Sequence, residues 1–131
     1  MPEETQLKKI PPKRILVVDD EPQVAQTIRM VLTYGGHTVE IAEDGNGALA
    51  KFEPGKFDLI ISDFALGKMN GLELARIVKQ RSPGQKFMLI TAYAESVAMG
   101  PERLSNIDFL LGKPFSLEQL QEGLTKIFPP A

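Results

Sequence analysis

The sequence predicts an α/β domain: a single doubly wound, five-stranded parallel sheet with helices on both faces. Short aliphatic and β-branched runs recur at 15–18, 38–42, 59–62, 87–90 and 109–111, and stretches with apolar residues at helical spacing stand between them. Strands that alternate with helices in this way run parallel, because each right-handed crossover lays its helix on the sheet. Size agrees: 131 residues with 43% hydrophobic content bury one core and leave no room for a second domain of ordinary size.

Each element has its own local reason. Residues 1–12 hold three prolines and little to bury besides Leu7 and Ile10, so they are expected to form a flexible leader ahead of a domain spanning 13–128. Ile15-Leu16-Val17-Val18 suits a strand buried on both faces and ends there. Pro22 fits a first helical position, with Val24, Ile28, Val31 and Leu32 along one side and Gly35-Gly36 as the stop. Asp44 is the expected N-cap of a short helix carrying Ala48, Leu49 and Phe52. Gly71 opens a third helix, with Leu72, Ala75, Ile77 and Val78 toward the core, and Ser82-Pro83-Gly84 closes it. Within 95–106 a further helix is expected, kept short by Gly100-Pro101. Ser116 and Gln119 have capping-box spacing for a last helix through Leu117, Leu120, Leu124 and Ile127, and residues 129–131 read as a tail or the start of a linker.

Composition excludes several classes of function. A net charge of −2, without a basic stripe or a helix-turn-helix pattern, gives no support for nucleic-acid binding. The absence of cysteine removes disulfides and thiolate chemistry, and His37, the sole histidine, rules out a multi-histidine metal site and reads as a surface or packing residue. No apolar run approaches the ~20 residues of a membrane span, and the expected setting is cytoplasmic. Met30, Met69, Met88 and Met99 lie in apolar contexts and read as core fillers.

In doubly wound sheets, ligands sit at the carboxyl ends of the strands. The residues just past those ends are Asp19 and Asp20, Asp63, Thr91 and Lys113. Singly, each is an ordinary turn or surface residue; jointly, carboxylates, a hydroxyl and an ammonium on one edge point to phosphoryl transfer onto a carboxylate. Close carboxylates stay ionised cheaply only around a cation, and few hard oxygen ligands suit Mg²⁺. Asp63, ending the central strand, is the candidate nucleophile, while Asp19 and Asp20 are placed to hold the metal and its water.

These motifs resemble the receiver domain of bacterial two-component response regulators. The resemblance covers roughly 14–128 and rests on Ile15-Leu16-Val17-Val18-Asp19-Asp20-Glu21, on Asp63 followed by Met69-Asn70-Gly71, on Thr91-Ala92, and on Lys113-Pro114-Phe115. It implies a flavodoxin-like strand order 2-1-3-4-5 and a phosphoryl group accepted by Asp63 from a phosphohistidine of a sensor histidine kinase or a histidine phosphotransfer protein. It implies Mg²⁺ held by Asp19, Asp20, Asp63 and the backbone carbonyl of Ala65, with Thr91 and Lys113 on the phosphoryl oxygens and a cis Lys113-Pro114 bond. A signalling role follows, in which the protein promotes only its own phosphorylation and dephosphorylation and binds an output partner as phosphorylation dictates. The face made by 95–106, the fifth strand and the last helix would serve partners or a homodimer. The alternative is a Mg²⁺-dependent phosphohydrolase with an aspartyl-phosphate intermediate, but Phe64-Ala65 after Asp63 supplies no general acid. A flavin-binding electron carrier of the same order is disfavoured, because Asp19-Asp20-Glu21 would repel a phosphate.

Three positions depart from the family pattern. Leu110 stands where an aromatic switch residue is usual, and strand alternation keeps neighbouring Phe109 from replacing it. Gly67 stands where proline is frequent, which is expected to loosen the loop, and Gly100-Pro101 shortens a helix of the partner face. Ala65 and Tyr93 occupy positions expected to tune hydrolysis, the bulk of Tyr93 hindering an attacking water.

Overall fold

The computed structural model describes residues 10–92 and 105–129. Five strands, β1 (Arg14–Val18), β2 (Thr38–Ala42), β3 (Leu59–Asp63), β4 (Lys86–Thr91) and β5 (Phe109–Gly112), pair in parallel in the order β2-β1-β3-β4-β5. Four helices are described: α1 (Pro22–Tyr34), α2 (Gly45–Lys51), α3 (Gly71–Arg81) and α4 (Leu117–Ile127). Of the helix expected within 95–106, residues 95–104 lie outside the described residues and 105–106 form a turn; Tyr93, Met99 and Gly100-Pro101 also lie outside the described residues.

Alternation along the strands divides the core in two. Leu16, Val18, Ile60, Phe87 and Leu89 pack with Ala48, Leu74, Ala75 and Val78 under α2 and α3. Ile15, Val17, Leu59, Ile61, Met88 and Ile90 pack with Ala25, Ile28, Leu32, Leu120, Leu124 and Ile127 under α1 and α4. The central strands β1 and β3 feed both layers, which is why their sequences are continuous rather than alternating apolar runs. Phe109 and Leu110 join opposite layers, as strand geometry requires.

Capping follows local chemistry. Asp44 accepts from the Gly47 N–H, and Asn70 with Glu73 and Ser116 with Gln119 form reciprocal capping boxes. The box at Asn70 adds to the start expected at Gly71, and the buried side of α3 runs through Gly71, Leu74, Ala75 and Val78, with Leu72 and Ile77 at its half-buried margins. The methionines divide: Met88 is fully buried and Met69 packs at the core's edge, but Met30 is 66% exposed and is no core filler. It lies on α1 away from the buried stripe of Ala25, Ile28 and Leu32, on the same outer side as the exposed Tyr34.

His37 is a packing residue with a specific task. Its N–H donates to the Leu32 carbonyl at 3.1 Å, closing α1, and its Nδ1 accepts from the Lys13 N–H at 2.9 Å, fixing the entry to β1. The Lys13 ammonium in turn lies 4.4 Å from the centre of the Phe128 ring, so the entry to β1 and the residue that follows α4 meet here. Burial, and then the Lys13 charge, push the His37 imidazole below its ordinary value of 6.5. A depressed base stabilises the fold fully above the unfolded value; that contribution is lost as pH falls below 6.5 toward the folded value, because the unfolded chain then binds more protons. Across pH 7.5 to 5.5 the unfolding free energy in urea of the wild type should therefore fall relative to that of His37→Gln, which keeps an acceptor, by about 1 kcal/mol, the worth of one such hydrogen bond; the opposite trend from the raised Asp19 and Asp63 carboxyls is common to both. Parallel profiles would count against this role.

Candidate functional site

The carboxyl ends of β1, β3, β4 and β5 bring Asp19, Asp20, Asp63, Thr91 and Lys113 to one edge, at the switch point where strand order reverses between β1 and β3. Asp63 ends β3 and is 6% exposed, Asp19 is 2% exposed, and Asp20 faces solvent. Each of the three carboxylates offers an oxygen within 4.8 Å of the other two. Lys113 Nζ lies 3.2 Å from Asp63 Oδ1 and 3.9 Å from Glu21 Oε1, and Thr91 is buried beside them at the end of β4.

Backbone hydrogen bonds hold these groups in place. The Asp19 N–H donates to the Ala42 carbonyl at 3.1 Å, and Asp19 Oδ1 accepts from the Glu21 N–H at 2.9 Å, turning the chain into α1. Phe64 N–H donates to the Ile90 carbonyl at 2.7 Å, and Lys113 N–H to the Thr91 carbonyl at 2.9 Å, so the tips of β3, β4 and β5 are tied together. The Lys113-Pro114 peptide is cis, as the resemblance implied.

Electrostatics describe an overcrowded acidic site. Burial pushes the Asp63 carboxyl up from the ordinary carboxylate range, Lys113 and the Phe64 N–H oppose this, and Asp20 adds to it. Burial likewise raises Asp19, with Asp63 contributing and the Glu21 N–H opposing. Among the described residues the Lys113 ammonium pairs with Asp63 in this group of three carboxylates, whose all-oxygen donor set suits a hard divalent cation that would relieve both burial and repulsion.

Residues 15–125 match the family of the response regulator receiver domain. The chain belongs to this family. As a receiver domain of two-component systems it is a signalling protein, and receivers as a family bind Mg²⁺ at an acidic pocket, which the cluster of Asp19, Asp20 and Asp63 fits. It is similar to the transcriptional regulatory protein TrcR of Mycobacterium tuberculosis, 37% identical over 109 residues, a match covering 83% of this chain and 42% of TrcR. The chain thus spans under half the length of that relative. Among solved structures it is similar to the response regulator TrrA of Thermotoga maritima, solved in complex with Mg²⁺-BeF, with a TM-score of 0.80, 34% identity, and coverage of 88% of this chain and 99% of that one. The non-phosphorylated HemR receiver domain of Leptospira biflexa matches with a TM-score of 0.80 at 27% identity, covering 92% and 97% of the two chains. No helix among the described residues is long and apolar enough to cross a membrane.

The receiver edge has features that reading the sequence did not assign. Glu21 shares Lys113 with Asp63, and its only prior signal was adjacency to the two aspartates. Gly71 is required by close approach: a Cβ there would lie 2.6 Å from the Asp63 carbonyl oxygen and 2.5 Å from Leu89 Cδ1. Gly67 has φ +88°, a region closed to proline, so this loop follows a different path from one built on a proline, and Gly67→Pro cannot act as a tightened version of it. Gly67→Ala should cost about 1–2 kcal/mol for the left-handed backbone, and Gly67→Pro clearly more, in urea unfolding. Equal stability of the proline variant and the wild type would show that the turn is not kept in solution.

Proposed function

We propose that Asp63 accepts a phosphoryl group from the phosphohistidine of a sensor histidine kinase or histidine phosphotransfer protein, and that phosphorylation changes the domain's affinity for an output partner. The observation that carries this reading is the position of the Asp63 carboxylate, 3.2 Å from the Lys113 ammonium and clustered with Asp19 and Asp20 at the end of the central strand. An Asp63 oxygen forms the new bond to phosphorus as the phosphorus–nitrogen bond of the donor breaks, and the imidazole leaves with that electron pair and takes up a proton. Lys113 pairs with the charge on the equatorial oxygens, and the Thr91 hydroxyl donates to one of them. Asp19, Asp20, Asp63 and the Ala65 carbonyl would hold Mg²⁺, which neutralises phosphoryl oxygens when bound. Dephosphorylation returns Asp63 to its carboxylate by attack of water on phosphorus, and the exposed Ala65 offers that water no polar group from its side chain. The face around β5 and α4 is the proposed contact for the output partner or a second copy.

The test is intact mass after incubation with a small acyl phosphate and Mg²⁺, with an EDTA control. A gain of one phosphoryl group that disappears with EDTA supports the reading. A wild type that gains none, and binds neither Mg²⁺ nor a beryllofluoride mimic, would overturn it.

A further inference from the structure

The loop between β3 and α3 carries Ala65, and besides the burial of Leu66 in the core its shape is set at two places. At one, Gly71 N–H donates to the Phe64 carbonyl at 2.8 Å, while Asp63 O and Leu89 Cδ1 fill the space a Cβ would need. That end cannot shift without moving α3 off the acceptor strand. At the other, Met69 lies across Gly45, the buried first residue of α2. A Cβ on Gly45 would come within 2.5 Å of Met69 Sδ and 3.1 Å of both its Cβ and Cγ. The sulfur could swing aside, but the Cβ is rooted in the loop backbone, so crowding at Gly45 is passed on to the loop. Between these places Leu66 is buried in the core with Leu74, Ala75 and Val78, while Gly67 faces open space at φ +88°, so the room for adjustment lies at 67–68.

We infer that Gly45 and Met69 are positioning residues for the metal-holding loop: the missing side chain on α2 lets Met69 seat, and that seat sets where the Ala65 carbonyl lies. The inference rests on the proposed reading of Asp63 and Ala65 as metal ligands. It assigns a role in the site to an element, α2, that contributes no ligand to it.

A size-exchange cycle read by calorimetric Mg²⁺ binding tests this, with urea unfolding in EDTA as a separate readout. Gly45→Ala should weaken Mg²⁺ binding by about tenfold, the lower range for losing a contact that supports a metal ligand. In a Met69→Gly background, Gly45→Ala should change Mg²⁺ affinity little, because Sδ, Cγ and Cβ are then all gone and the added methyl has room. As a check that does not depend on the Gly45 variants folding, amide exchange at 65–68 should be faster in Met69→Ala than in the wild type, with the β3 amides unchanged. Wild-type affinity in Gly45→Ala, an equal loss in both backgrounds, or unchanged exchange at 65–68 would overturn the inference while leaving the phosphoacceptor reading intact. Failure of the wild type itself to bind Mg²⁺ would overturn both.

Discussion

Asp63→Asn is expected to abolish the phosphoryl adduct while leaving a folded protein. Asparagine has nearly the same shape, but its amide is a poor nucleophile, and no other carboxylate both ends the central strand and lies against Lys113. Burial holds the Asp63 carboxyl above its unfolded value, so its ionised form at pH 7 opposes folding, and this cost fades as pH falls and the folded protein takes up the proton. Removing the charge relieves that cost and also the repulsion from Asp20, while Lys113 keeps Glu21 as a neighbour at 3.9 Å. The variant should therefore resist urea at least as well as the wild type at pH 7, and its failure to form an adduct then reports chemistry rather than unfolding. Mg²⁺ should bind more weakly to it, since one of three clustered carboxylates is gone. An adduct of undiminished yield in Asp63→Asn would move the nucleophile to Asp19, Asp20 or another acid.

The sheet and most of its edge were legible because their signals are local or set by topology. Continuous β-branched runs mark strands buried on both faces, and once the strands alternate with helices, the residue after each strand end must arrive on the same rim. Asp19, Asp20, Asp63, Thr91 and Lys113 therefore needed no contact information to be grouped. The alternation that separates Leu110 from Phe109 was readable for the same reason. Side-chain contacts between distant segments were not. Met69 against Gly45, Asp58 bonded to the N–H and guanidinium of Arg14, and Asp108 bonded to Lys79 and to the Phe87 N–H each join residues whose neighbours in sequence carry no trace of the partner. Met30 misled in the opposite sense: it stands among apolar residues, yet a helix of 3.6 residues per turn carries it away from the stripe that Ala25, Ile28 and Leu32 bury.

Lys113→Gln is expected to move two properties of the site in opposite directions. The ammonium lies 3.2 Å from Asp63 Oδ1, so its positive charge would oppose a cation drawn to the same carboxylate. Its removal should tighten Mg²⁺ binding by about fivefold, corresponding to roughly 1 kcal/mol for a partly solvated charge contact. Phosphoryl transfer makes the reverse demand, because negative charge on the equatorial oxygens must be met by fixed positive groups. Losing one of these should slow adduct formation by about 10²-fold, at the lower end of what a preorganised donor contributes. The two measurements, calorimetric Mg²⁺ affinity and the rate of mass gain at saturating Mg²⁺, separate a charge that acts on the phosphoryl group from one that only shapes the site. Affinity and rate falling together would assign Lys113 the second role: it would then be holding Asp63 and Glu21 in place across the ends of β3 and β1, and the chemistry would depend on the metal and Thr91.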